Sequence, residues 1–188
     1  EIVGDESVGV KLAINGLLSL TPDGNPIIGE CPEVKGLWSV SAIWIKEAPG
    51  IAKTVAEWMT TGEPEIDPHG SDVARFYEHH KTWQHVRART SEGYNKTYGI
   101  VHPSEQWASN RDVRLTPMNA RQRELGAVFF EAAGWERPMW YASNERLLAG
   151  YGDRIARRES EWDARWWSPI INAEHLAMRD RAGLFDLS

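Results

Sequence analysis

Apolar and polar positions divide this chain into stretches of different character. From Val8 to Leu20 the residues read as extended structure, with Ile14-Asn15-Gly16-Leu17-Leu18 predicting a hairpin-like turn and Pro22-Asp23-Gly24 a second tight turn. Gly36 to Ile45 is a nearly unbroken apolar run, and its length and β-branched content predict a central strand covered on both faces. Pro49 then stands where a helix begins, because its missing N–H is one of the donors a first turn leaves unpaired. Ile51, Val55, Trp58 and Met59 follow at helical spacing, and Gly62 with Pro64 beyond it marks the stop.

After Gly62 the pattern turns polar and rich in His and Tyr as far as Pro117. It carries short helical patches such as Val73 to Glu78 and few apolar runs, which predicts a connector with no core of its own. From Met118 the order returns: Asn119 to Gly126 helical or turn-like, Ala127 to Glu131 extended, an acidic and Trp-rich stretch over Ser160 to Trp167, and an amphipathic helix over Ala173 to Arg181. The fold class expected is α+β.

Charge and composition narrow the function classes. The formal net charge is −6, and the 21 Lys and Arg are interspersed with 27 acids instead of forming a stripe, which argues against a nucleic-acid partner. No apolar run reaches the ~20 residues of a membrane span, and Glu1, Asp5 and Glu6 do not open a signal peptide. The single cysteine, Cys31, lies between Glu30 and Pro32 in an acidic stretch that gives a nucleophile no support, so it reads as structural and fits a reducing compartment. At 188 residues the chain can bury one substantial core or two small ones, and both ends read as cut from something longer.

The segment Thr21-Pro22-Asp23-Gly24-Asn25-Pro26-Ile27-Ile28-Gly29-Glu30, followed about two dozen residues later by Ala48-Pro49-Gly50-Ile51, resembles the closing stretch of a flavoprotein amine oxidoreductase. Residues 9 to 59 are similar to the C-terminal end of the glycine-oxidase and sarcosine-oxidase type of FAD domain. Four further motifs extend the resemblance: Asp72-Val73-Ala74-Arg75-Phe76, Leu125-Gly126, Gly134-Trp135-Glu136-Arg137-Pro138 and Leu184-Phe185-Asp186-Leu187-Ser188. With these, the whole chain resembles the middle of dimethylglycine and sarcosine dehydrogenases or oxidases.

The resemblance implies three parts: residues 1–59 as the C-terminal part of an FAD oxidoreductase domain, 60–117 as a central connector, and 118–188 as the start of a T-protein-like folate-binding domain. It also implies a function, namely oxidative demethylation of an N-methylated glycine with transfer of the one-carbon unit to tetrahydrofolate. The setting expected is the cytoplasm, or the mitochondrial matrix in a eukaryote. The cofactors are FAD, for which this chain supplies part of a site, and tetrahydrofolate, whose site is expected mostly past Ser188.

Flavin contacts are implied for Ile45, Lys46, Glu47, Ala48, Pro49, Gly50 and Ile51, and more weakly for Thr21. A helix start carries unpaired N–H groups, and reduced flavin is anionic at its pyrimidine edge, so the two are complementary. Lys46 falls where sarcosine-oxidase-like proteins hold the substrate carboxylate, the alternative being a solvated lysine. Glu47 stands where some dimethylglycine oxidases have a histidine, so no base role is implied for it.

No GxGxxG fingerprint is present, and no catalytic residue is assigned; Asp186 is read as structural. His79, His80 and His85 are expected at the surface without a metal role, because adjacent residues cannot share one face of an α-helix. The ten tryptophans are read as core and interface packing. Two alternatives stay open: a Trp-rich binding module without catalysis, and an oxidoreductase of the same architecture acting on another secondary or tertiary amine.

Overall fold

A computed structural model describes residues 9–187. Glu1, Asp5, Glu6, Val8 and Ser188, on which some of the readings above fall, lie outside the described residues. The fold is mixed helix and strand, and the chain divides into two compact units, residues 1–75 and 76–188.

In the first unit the tight turn forms where expected, closed by Gly24 N–H donating to the Thr21 carbonyl at 3.2 Å. Strand β1 (Ile27–Glu30) follows and pairs antiparallel with β2 (Trp38–Ser41), Ile28 lying opposite Val40. Helix α1 (Ala48–Thr61) starts with Pro49 in its first turn and ends at Gly62, whose left-handed φ of 89° is the conformation a helix stop requires. Ile28, 1 % exposed, and Val55 form the apolar centre.

The α1 helix is clamped to the sheet by Trp58. Its ring meets Trp38 edge-on at 5.5 Å, and it lies so close to Gly29 that a Cβ there would stand 3.0 Å from Cη2.

Two expectations for this unit are corrected. The run from Gly36 to Ile45 is not a central strand: β2 is four residues long, pairs with β1 alone among the described residues, and leaves Val40 half-exposed. The reason is local, since Ala42 adopts a left-handed φ of 55°, which takes the backbone out of the ladder and leaves Ile45 93 % exposed. Residues 9–20 form no strand and no paired hairpin; Val10, Leu12, Ile14 and Leu17 are exposed. An extended segment gains a ladder only from a neighbour with free backbone groups.

The second unit is built on a hairpin, β3 (Ala127–Ala132) and β4 (Trp135–Tyr141). Ala133 and Gly134 both have positive φ, 51° and 82°, the pattern of a two-residue turn whose twist matches its strands. Pro138 stands opposite Phe129, next to a register shift between Val128 and Phe129, the kind of irregularity at which a strand tolerates proline. Arg114 adds a parallel bridge to Trp135, exchanging backbone bonds with Gly134 and Glu136.

Helix α2 (Trp83–Tyr98) is capped by the Thr82 hydroxyl, which accepts from His85 N–H. Its inward face is polar. His85, Arg89, Glu92 and Lys96 recur at helical spacing, and the last three grip the segment 105–110 and strand β3. The connector therefore does order itself, through ion pairs and hydrogen bonds more than through apolar burial.

Opposite each other on β3 and β4 stand Glu131 and Glu136, two carboxylates on one face. Each has its own guanidinium. Arg89 pairs with Glu131, and Arg111 grips Glu136 with Nε to Oε1 at 2.8 Å and Nη2 to Oε2 at 2.5 Å. Asp112 N–H donates to the same carboxylate at 2.9 Å. Glu136 is 1 % exposed; burial pushes its pKa up, but the hydrogen bonds and charge of Arg111 and the Asp112 N–H outweigh it and hold the carboxyl below its usual range.

Helix α3 (Asn119–Glu124) precedes the hairpin, and α4 (Leu147–Tyr151), α5 (Glu161–Ala164) and α6 (Pro169–Asp180) follow it. The Ser168 hydroxyl caps α6, which buries Ile170 and Ala173, and Glu174 accepts from Tyr141 N–H at 2.9 Å and from Asn144 Nδ2 at 2.8 Å.

Breaking the Arg111–Glu136 pair leaves a guanidinium part-buried without its partner, so Glu136→Ala is expected to cost about 3–5 kcal/mol in chemical denaturation. The sign of the pH effect follows from a depressed folded pKa: the contribution is present above the unfolded value near 4.5 and is lost as pH falls through the lower folded value. Glu136→Gln should flatten the acid limb of stability below about pH 4.5, and an acid limb identical to wild type would contradict this assignment. In the first unit, Gly29→Ala places a Cβ against Trp58 at a φ of 113°, with an expected loss of about 1–3 kcal/mol read as a lowered unfolding midpoint.

Candidate functional site

The residues expected at a flavin lie on the approach to α1 and its first turn. Glu47 N–H donates to the Trp44 carbonyl at 3.0 Å, and Ile51 N–H donates to the Glu47 carbonyl at 3.0 Å, so the backbone folds back before the helix starts. Glu47 occupies the cap position without a side-chain cap, Pro49 brings no N–H, and Ala48 N–H donates to the Ile45 carbonyl at 3.4 Å. Ile45, Lys46, Ala48, Pro49 and Gly50 are exposed, and a Cβ on Gly50 would meet nothing within 4 Å. The surface is free to be approached by a planar ligand or another segment.

Lys46 Nζ lies 3.0 Å from Glu47 Oε1 and 5.4 Å from the centre of the Trp44 ring. The hydrogen bond from Lys46 is the main influence holding the Glu47 carboxyl below its usual pKa. Both partners are solvated, so the pair is screened and readily exchanged for another carboxylate.

Thr21 is placed differently. It is buried, and its hydroxyl donates within its own turn, to the Asn25 carbonyl at 2.8 Å or Asp23 Oδ1 at 3.1 Å. Asp23 in turn accepts from Arg75 Nε at 2.7 Å and Nη2 at 3.0 Å. Burial raises the Asp23 pKa, but the Arg75 hydrogen bonds and charge, with Asn25 N–H and the Thr21 hydroxyl, bring it below the usual value. Thr21 therefore shapes the turn, while Ile45 to Ile51 form a contiguous surface.

In the second unit a cavity of about 790 Å³ is walled by Phe130, Met139, Tyr141, Met178 and Phe185, with Glu174 among its polar groups. Asp186 closes one side, its Oδ2 accepting from Thr116 Oγ1 at 2.9 Å and Gln122 Nε2 at 2.8 Å, which is the structural part expected of it. Burial, with the charges of Asp186 and Glu174, pushes the Tyr141 phenol pKa up. The cavity was not foreseen, since its walls come from β3, β4, α6 and the closing segment.

A third grouping departs from expectation. One ring nitrogen from each of His79, His80 and His85 lies within 4.8 Å of the others. Glu78–Lys81 is a 3-10 turn, not an α-helix, and it hands over directly to the α2 cap at Thr82, so the adjacent rings come together.

The described architecture is that of a flavin-dependent oxidoreductase connector running into the first part of a T-protein-like domain. Residues 61–116 match the FAD dependent oxidoreductase central domain, and residues 118–188 match the GCVT N-terminal domain. The chain is similar to an internal part of the dimethylglycine and sarcosine dehydrogenases.

Among its relatives, 4-methylaminobutanoate oxidase (formaldehyde-forming) of Paenarthrobacter nicotinovorans is 36 % identical over 97 % of this chain and 22 % of its own length. The mitochondrial sarcosine dehydrogenase of Homo sapiens is 35 % identical with the same coverages. The regulatory subunit of mitochondrial pyruvate dehydrogenase phosphatase of Mus musculus is 26 % identical over 97 % of this chain and 21 % of its length. The chain thus spans about a fifth of the length of these relatives. No helix among the described residues is long and apolar enough to cross a membrane.

Proposed function

We propose that the chain is part of an FAD-dependent oxidoreductase that removes an N-methyl group from a small N-methyl amino acid, of the sarcosine or dimethylglycine type, and passes the carbon to tetrahydrofolate. The observation that carries this reading is the order of the two domain matches, an oxidoreductase central domain followed by a GCVT N-terminal domain, in a chain over a third identical to two demethylating or sarcosine-oxidising relatives. Residues 1–59 are then the end of the flavin domain, 60–117 the connector, and 118–188 the start of the folate-binding part.

When bound, FAD accepts the hydride from the N-methyl carbon. The positive end of the α1 dipole would suit the pyrimidine edge of a bound flavin, and Ile45 to Ile51 are the residues that would hold it. Lys46 is exposed and its pairing to Glu47 is solvent-screened, so its ammonium is available to a substrate carboxylate. Thr21 contributes indirectly, by fixing the turn that leads into β1.

Two other readings have specific support. The regulatory-subunit relative favours a non-catalytic role; against the Trp-rich binding surface, Trp38, Trp44, Trp135 and Trp140 are all partly buried. The methylaminobutanoate relative favours a longer amine substrate.

In the full-length protein reconstituted with FAD, sarcosine, dimethylglycine and 4-methylaminobutanoate should separate these readings by rate of flavin reduction. Tetrahydrofolate should lower the formaldehyde released; reduction by none of the three amines would reject the oxidoreductase reading. Lys46→Met is expected to raise KM at least ten-fold with a smaller effect on kcat, since a contact made equally in ground and transition states is uniform binding. Unchanged KM with lost flavin would assign Lys46 to the cofactor instead. The 188-residue chain by itself should purify colourless, because it holds a minority of the flavin contacts, and stoichiometric yellow protein would contradict the partial-site reading.

A further inference from the structure

The side chains of His79, His80 and His85 are brought together by a 3-10 turn and the capped start of α2, two elements fixed by backbone hydrogen bonds. His80 N–H donates to the Tyr77 carbonyl at 2.9 Å, and His85 N–H donates to the Thr82 hydroxyl at 3.3 Å. The rings of His79 and His80 are 3.9 Å apart, and each meets His85 edge-on at 5.2 Å.

His79 Nε2 is buried and has no hydrogen-bond partner. An orphaned imidazole nitrogen is destabilising, and in a native protein such a group calls for an ion or a water to satisfy it. It lies against Gly134, where a Cβ would stand 3.0 Å from it, so the absence of a side chain at the hairpin turn leaves the nitrogen room.

We propose that His79, His80 and His85 form a binding site for one late first-row transition-metal ion of the zinc class. Three imidazoles leave a fourth position for water, the donor set of an open tetrahedral site. A zinc–nitrogen bond of about 2.0–2.1 Å requires the ring nitrogens to draw closer than their 4.8 Å limit, which rotations about the side-chain bonds supply. His80 Nδ1 accepts from Tyr77 N–H at 3.1 Å, so a half-turn of its ring, or exchange of that bond for the metal, completes the set.

The surroundings select the ion class. Arg114, stacked between Tyr77 and Trp135, and Arg89 both act on these rings, Arg89 with its charge offset by Glu131. Positive neighbours disfavour hard ions such as calcium or magnesium, which also want oxygen ligands, whereas a borderline ion gains most of its affinity from nitrogen donation. The site lies at the connector, where it would pin the 3-10 turn to α2, a structural role separate from flavin chemistry.

The test is a competition titration of the chelator-stripped full chain with zinc(II), read together with histidine ring nitrogen-15 shifts. One zinc per chain is expected, with the ring signals of His79, His80 and His85 moving together. His79→Gln and His80→Gln should each weaken binding at least ten-fold, while His69→Gln and His175→Gln, at exposed positions, leave it unchanged. The ring shifts need no variant, so the test stands even where a substitution disturbs folding. Shifts at His69, His102 or His175 in place of the cluster, failure to saturate at one zinc, or wild-type affinity in His79→Gln would each overturn the site.

Discussion

Two carboxylates facing each other across a hairpin constrain the second unit more than any apolar contact. Glu131 and Glu136 are register partners on β3 and β4, and like charges opposite one another destabilise a sheet unless each is answered. Arg89 comes from α2 and Arg111 from the segment before β3, so satisfying the pair recruits two separate pieces of chain to one face. Arg111 also donates to the carbonyls of Trp107 and Phe129, and Arg89 to that of Asn110, which ties the intervening loop to the strands. Removing either guanidinium would leave a buried charge, whereas burying apolar side chains there would tolerate more sliding.

That logic explains why a stretch that reads as a coreless connector is ordered. The inward stripe of α2 consists of His85, Arg89, Glu92 and Lys96, so a search for apolar periodicity finds no helix in it. Glu92 alone accepts from Ala108 N–H, Ser109 N–H and the Ser109 hydroxyl, and these bonds hold its carboxyl below its usual pKa against the rise that burial would cause. The Glu136 of the GWERP motif has the same character: a charged residue that is among the largest fully buried side chains described.

What was legible followed local rules. The turn at Pro22–Gly24, the helix from Ala48 with Pro49 in its first turn, its stop at Gly62, the strand from Ala127 and the helix ending at Asp180 all carry their signals within a few residues. What was not legible depended on distant partners or on one backbone angle: the left-handed Ala42 that ends β2, the missing partner for residues 9–20, and the polar stripe of α2. The proposed flavin surface, Ile45 to Ile51, is one contiguous stretch of sequence. The cavity and the histidine cluster needed the tertiary arrangement, in which an unexpected 3-10 turn turns two neighbouring rings toward a third.

The contact of Asp186 with Thr116 and Gln122 spans 70 and 64 residues, among the longest-range side-chain ties in the second unit. Joining such distant points costs chain entropy that grows with the logarithm of the enclosed length, against which each hydrogen bond returns a modest stabilisation. Such a tie gains little until the hairpin and α6 between its ends have already shortened the effective loop. The tie from Asp186 to Thr116 and Gln122 should therefore form late in folding, once the hairpin and α6 have brought its ends together.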